Sequence, residues 1–152
     1  MARINDPELE GYTQELWDTV MRIIHNFRTG MGVWEELGLT FPQSMLLLEL
    51  HRGGKLNMGE LSQRLHITQG VATRMVDLLL EKGLMERGRD EEDRRVVLVC
   101  LSRKGARIAR LIEEHNRSRI GDFLAAVPEK ERYYLLEFLK RLQEQFEKED
   151  TA

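Results

Sequence analysis

Apolar residues at Leu9, Tyr12, Leu16, Val20, Ile23 and Phe27 recur at steps of three and four, the stripe of an α-helix. Trp17, Met21, Ile24 and Met31 add a second stripe beside the first, so this helix has an unusually wide apolar face. Gly30, Gly32 and Gly38 break the pattern. "TFPQ", Thr40 to Gln43, has capping-box spacing with a proline near the first helical position. It opens a second helix through "QSMLLLELH" that stops at Gly53 and Gly54. "NMGE", Asn57 to Glu60, repeats the capping-box spacing ahead of a short third helix through Leu61 and Leu65. Only "HI" separates that helix from Thr68, the N-cap of a fourth helix whose stop signal is Gly83.

From Leu84 the period changes. "LMERGR" and "RVVLVCL" read as two strands joined by "DEEDR", and the run Val96 to Val99 is mostly β-branched. Ser102 then caps a long helix carrying Ile108, Leu111, Ile112, Phe123 and Leu124, which Pro128 interrupts. A last helix places Leu135, Leu139, Leu142 and Phe146 at steps of four, three and four, with Phe138 alongside. The predicted order is four helices, a hairpin and two helices: a mainly α (α+β) chain.

At 152 residues this is about one domain's worth of chain. With 41% hydrophobic and 32% charged residues, it is built to fold around a core rather than to stay disordered. No apolar run approaches the roughly 18 residues of a membrane span. The opening "MARINDPELEGY" lacks the apolar core of a signal peptide, and the single Cys100 excludes an internal disulfide or a Cys-x-x-Cys metal knuckle. These features lead us to expect a cytoplasmic protein. The net charge of −3 argues against a uniformly basic nucleic-acid binder, but Thr68 to Arg110 carries +3 and the remainder −6. Positive charge sits in the middle third.

That middle third holds the chemistry. At 100° per residue, Ala72, Met75, Val76 and Leu79 of the fourth helix point one way. Gly70, Arg74, Asp77 and Glu81 point the other way, with Gln69 and Thr73 on one flank and Val71 on the other. The outward face is thus basic or neutral at its start and acidic further along. A helix entering the DNA major groove end-first needs that polarity, and its free N–H groups favour a phosphate. The third and fourth helices form a helix-turn-helix. The hairpin that follows would lie beside it as a wing, whose Arg94 and Arg95 can reach a minor groove. Asp90, Glu91, Glu92 and Asp93 would repel phosphates unless they clamp the arginines, so a salt bridge from Asp93 or Asp90 to Arg95 is expected.

Two stretches, "LTFPQSMLLLEL" and "MGELSQRLHITQGVATRMVDLLLEKGLMERGRDEEDRRVVLVCLSRKG", together resemble the MarR family of winged helix-turn-helix transcription regulators. The resemblance runs from Leu39 to Gly105. It is carried by Thr73-Arg74, Asp77, Leu79, Lys82-Gly83-Leu84, Arg87, Asp90-x-x-Asp93-Arg94-Arg95 and Leu101-Ser102-x-x-Gly105. It implies a recognition helix over 68–82 that contacts DNA through Thr68, Gln69, Gly70, Val71, Thr73 and Arg74. It also implies a wing over 88–96 with Arg94 and Arg95 at DNA, supported by Arg87, Asp90 and Asp93. The implied winged domain spans 36–105, and 1–35 with 106–152 form a helical dimerisation region. A homodimeric regulator, a repressor, on a palindromic site in double-stranded DNA follows, often released by a small molecule. Leu78 and Leu80 depart from the family pattern, standing where polar or charged residues are common.

The combined apolar width of the end helices exceeds what one small winged domain can bury. Leu9, Leu16, Val20, Leu135, Leu139, Leu142 and Phe146 are therefore read as a dimer seam. A pocket for a small-molecule effector is expected where these helices meet the winged domain, near Trp17, Met21, Ile24, Met45 and Leu111. His25, His51, His66 and His115 show no i,i+4 ligand pair. His115 beside Glu113 and Glu114 is read as an ordinary histidine, Cys100 in its apolar strand as inert, and no metal or cofactor is expected. No G-x-S-x-G, P-loop or H-E-x-x-H frame is present, so no catalytic residue is assigned and the chain is not read as an enzyme. The competing class is a winged-helix protein–protein interaction module without sequence-specific DNA binding, which leaves Arg74 and Arg95 unexplained.

Overall fold

The computed structural model describes residues 7–29 and 33–150. Helix α1 (Pro7–Thr29) is followed by α2 (Phe41–Gly53), a short strand β1 (Leu56–Asn57), α3 (Met58–Arg64) and α4 (Gln69–Glu81). Strands β2 (Met85–Arg89) and β3 (Val97–Leu101) form the hairpin, and α5 (Arg103–Ala126) and α6 (Glu129–Asp150) complete the chain. The helix boundaries are set by local chemistry. Thr40 and Gln43 exchange hydrogen bonds as a complete capping box at α2, and Asn57 and Glu60 do so at α3. Thr68 caps α4 through its side chain. Gly83, at φ +67, ends α4 in the left-handed region that an L side chain resists.

The sheet runs β1-β3-β2 and is antiparallel throughout, with Leu56 opposite Val99 and Arg87 opposite Val99 on the other side. β1 was not anticipated from the sequence. It is two residues long and exists only because β3 offers it an edge.

Compact packing divides between Asn116 and Arg117. In the first unit, Trp34, Leu46, Leu47, Leu50, Leu61, Val76, Leu79, Val99 and Ile112 are fully or nearly fully buried in one core. Ala109 and Ile112, from the first half of α5, belong to that core. Trp34, in the turns ahead of α2, packs edge-on against Phe41 at 5.3 Å between ring centroids. Every described side chain of α1 from Pro7 to Asn26 is exposed. The Phe27 side chain and all of Gly30, Met31 and Gly32, which the sequence pattern singled out, lie outside the described residues.

The second unit comprises the end of α5, the turn at Pro128 and α6. Arg132 steadies the turn by donating from Nε to the Val127 carbonyl at 2.8 Å. Among the described residues of this unit none is buried, and Phe123, Tyr133, Tyr134, Phe138, Leu139 and Phe146 are each at least half exposed.

Candidate nucleic-acid interface

A short turn fixes how α4 leaves α3. The Ile67 N–H donates to the Ser62 carbonyl (3.0 Å) and the His66 N–H to the Gln63 carbonyl (3.1 Å), a Schellman closure of α3. The closure needs a left-handed residue, and His66 takes it at φ 51. Two residues later the Thr68 hydroxyl accepts from the Val71 N–H (3.4 Å) and α4 begins.

One face of α4 is committed to the core through Ala72, Val76 and Leu79, all fully buried. Gln69, Gly70, Val71, Thr73 and Arg74 are all exposed on its first turn and a half. The Thr73 hydroxyl donates back to the Gln69 carbonyl at 2.8 Å. No acid lies in the first turn, so the positive end of the helix dipole is uncompensated by the chain itself. Arg74 makes no ion pair among the described residues. The departures at Leu78 and Leu80 resolve differently: Leu80 packs against the core, while Leu78 stays 47% exposed. Asp77, the first acid along the outward face, is held by Arg87 of β2 in an ion pair. That pair makes Arg87 a brace between helix and wing and removes Asp77 as a free negative charge.

The wing turn corrects one expectation. Asp93 and Asp90 do not clamp the Arg95 guanidinium. Asp93 Oδ1 accepts from the Arg95 backbone N–H (2.9 Å), and Asp90 Oδ1 accepts from the N–H groups of Glu92 (2.9 Å) and Asp93 (3.0 Å). A short aspartate reaches an amide two or three residues on more readily than the far end of a long arginine, so the acids fold the turn instead. The amides of Asp93 and then Glu92 hold the Asp90 carboxyl below its ordinary range, with Lys55 adding a smaller push the same way and slight desolvation opposing. Arg94 and Arg95 are exposed and without ion pairs among the described residues, so their charge is available to an outside anion.

The base of the wing is clasped. Ser102 donates its hydroxyl to the Gly83 carbonyl (2.7 Å), accepts from the Gly105 N–H (3.0 Å), and sends its own N–H to the Leu84 carbonyl (3.0 Å). Gly105 sits so close that a Cβ there would lie 1.9 Å from the Leu84 carbonyl oxygen. Leu101-Ser102-x-x-Gly105 is therefore a packing device, holding the wing's return to the end of α4.

The sequence profile described as the MarR family matches residues 37–96, which span α2, the helix-turn-helix and the wing turn. The helix-turn-helix-type transcriptional regulator YfiV of Bacillus subtilis is 26% identical over 150 residues, covering 96% of this chain and 94% of its own. A solved MarR family protein from Bacillus stearothermophilus is 28% identical, with a TM-score of 0.78 over 90% of this chain and 96% of that one. Residues 37–96 therefore match the MarR family. Streptococcus pneumoniae FabT, whose crystal structure is of a complex with DNA, shares the fold at a TM-score of 0.73 and 23% identity, over 93% of this chain and 96% of its own.

Beyond the helix-turn-helix and wing, most of the remaining predicted residues lie on open surface. Of the seven assigned to a seam, Leu135 is half-buried, and Leu9, Leu16, Val20, Leu139, Leu142 and Phe146 are exposed. The five residues expected around an effector are not gathered into an enclosed cavity. Met45 packs against the core, while Trp17, Met21, Ile24 and Leu111 stand 44–61% exposed. A depression of about 540 Å³ lies instead beside the wing, where Lys55, Asn57, Arg89 and Asp90 contribute to its walls. Lys55 and Arg89 were not singled out from the sequence. Their basic character was visible, but their neighbourhood depends on β1 joining the sheet. Among the described residues no group of three or more His, Cys, Asp or Glu side chains could hold a metal ion. No described helix is long and apolar enough to cross a membrane.

Proposed function

We propose that the protein is a homodimeric, DNA-binding transcription regulator that represses promoters overlapping its operator. In this reading α4 enters the major groove, with Arg74 against a phosphate, Thr73 helping to position the helix, Gln69, Gly70 and Val71 at base edges, and the wing arginines Arg94 and Arg95 at the neighbouring minor groove. One observation carries it: the exposed start of α4 and the wing tip present Arg74, Arg94 and Arg95 with no ion-pair partner among the described residues. FabT, which shares the fold, is seen with DNA, and this supports the reading.

The homodimer is supported by the exposed apolar residues of α1 and α6, including Leu16, Val20, Leu139, Leu142 and Phe146. Two-fold pairing would set two copies of α4 roughly 34–36 Å apart, one turn of duplex, and so call for a palindromic operator. A small-molecule effector fits the same scheme if it binds better to a dimer whose α4 helices do not match that spacing. Trp17, Met21, Ile24, Met45 and Leu111 would contact it only after pairing encloses them.

The test is a salt titration of binding to duplex DNA carrying a selected site. Affinity should fall steeply with salt, and Arg74→Ala should flatten the log–log slope by about two for the dimer, one phosphate contact per subunit. A slope unchanged in Arg74→Ala removes Arg74 from the interface. Absence of DNA binding at low salt overturns the function.

A further inference from the structure

We infer that Val71 reads the C5-methyl group of a thymine in each half-site, and that Gly70 gives α4 the clearance to bring it there. The inference rests on the DNA-binding reading above and deepens it. Gly70 and Arg74 lie at the middle of the outward face, and one shoulder of that face carries Val71. The fold has no use for a valine there: it is 46% exposed, while the core takes Ala72, Val76 and Leu79. A β-branched residue in a helix is slightly unfavourable, and an exposed one gains nothing back from packing. Its position is nevertheless well fixed, because its own N–H is the group that the Thr68 hydroxyl caps.

The chemistry of the groove completes the argument. Base edges in the major groove offer donors, acceptors and one apolar feature, the thymine methyl. A valine pressed against cytosine would strip water from the N4 amino group and give nothing in return, whereas against thymine it covers hydrocarbon with hydrocarbon. Val71 therefore selects thymine twice, by favouring the methyl and by penalising cytosine. Gly70 adds reach. A Cβ there would meet nothing within 4 Å in the protein, so the space in front of it is open to the duplex floor. Thr73, on the other shoulder, has its hydroxyl hydrogen engaged by the Gln69 carbonyl, which leaves Gln69 as the polar side chain free to pair with a base edge.

The experiment begins with duplexes that the full-length protein selects from a random-sequence pool. Each thymine of the selected site is then replaced, one at a time, by uracil, which removes only the methyl. The expected result is one thymine per half-site whose replacement weakens the wild-type protein about fourfold, and about fifteen-fold when both half-sites are changed. Val71→Ala, which keeps a good helix former at an exposed position, should bind the thymine and uracil duplexes alike. If no uracil weakens the wild type, or if Val71→Ala keeps the full uracil sensitivity at every position, the assignment is overturned. Failure to enrich any sequence at all is a different result, since it defeats the DNA-binding reading itself and this inference with it.

Discussion

The winged unit and the terminal helices answer the same problem, apolar surface in water, in opposite ways. Around α2, α3, α4 and β3, Leu46, Leu47, Leu61, Leu79 and Val99 are wholly out of solvent within one chain. Along α1 and α6, Leu16, Trp17, Phe138, Leu139 and Phe146 are half exposed or more. The first region is finished by its own sequence, and among the described residues it leaves Arg74, Arg94 and Arg95 outward without ion pairs. The second is left apolar. On the homodimer proposed above, folding and association would fall to different stretches of the chain, and substitutions can separate them.

The largest separation comes from the α6 face. A double substitution, Leu139→Glu with Leu142→Glu, places charges on the proposed seam without touching a buried side chain. Sedimentation should then report a monomer with a near-native circular dichroism spectrum. Operator affinity should fall about 100-fold or more, since the second half-site is no longer held by the first. An unchanged dimer would show that the seam lies elsewhere.

Next in size is the clasp of the winged unit. Gly105→Ala forces a methyl into the Leu84 carbonyl, a backbone atom that cannot swing aside, and should cost about 3 kcal/mol in urea unfolding. That variant should lose the winged unit's stability first, the reverse of the α6 pair.

A smaller effect distinguishes two helix ends closed by the same hydrogen-bond pattern. Gly83 and His66 both take the left-handed position, at φ 67 and φ 51, in Schellman closures of α4 and α3. Gly83→Ala should destabilise by about 1 kcal/mol, while His66→Gly should raise the melting temperature, gaining at most about 1 kcal/mol because an exposed side chain is lost.

The smallest effect is in the wing turn. The amides of Asp93 and Glu92 favour the ionised Asp90 carboxyl, so its folded value lies below the ordinary 3.8. Its contribution to the turn is present above that ordinary value and is lost as pH falls through the lower, folded one. Carboxyl NMR should place the Asp90 midpoint under 3.8, with the amide shifts of Glu92 and Asp93 moving together. A midpoint at or above 3.8 would mean the turn is not held this way.

What could be read in advance was mostly local. Thr40 with Gln43, Asn57 with Glu60, Thr68 with its following turn, and Gly83 each state their role within three or four residues, and each caps or ends a helix as the sequence suggests. The outward set from Gln69 to Arg74 follows from periodicity alone. Features that depend on distant partners were not legible. Leu56 pairs with Val99 across 43 positions, and nothing in "KLN" announces a strand. Arg87 finds Asp77 only once β2 lies against α4. Of the acids of "DEEDRR", Asp93 meets Arg95 at its amide and Asp90 meets other amides, because charge suggests a side-chain pair where turn geometry supplies a closer N–H. The packing of Ala109 and Ile112 of α5 into the core likewise depends on distant partners.

The Ser102 hydroxyl joins Gly83, two residues before the hairpin, to the third residue of the helix after it, so the hairpin leaves and re-enters the domain through one narrow gate. Residues inserted or deleted at the tip, between Asp90 and Val96, lengthen or shorten the arm without turning the helix that the gate secures. On the proposed DNA-binding reading, a longer or shorter tip would change how much duplex the wing spans while α4 keeps its angle of entry, and a new tip can be grafted here at little risk to the remainder.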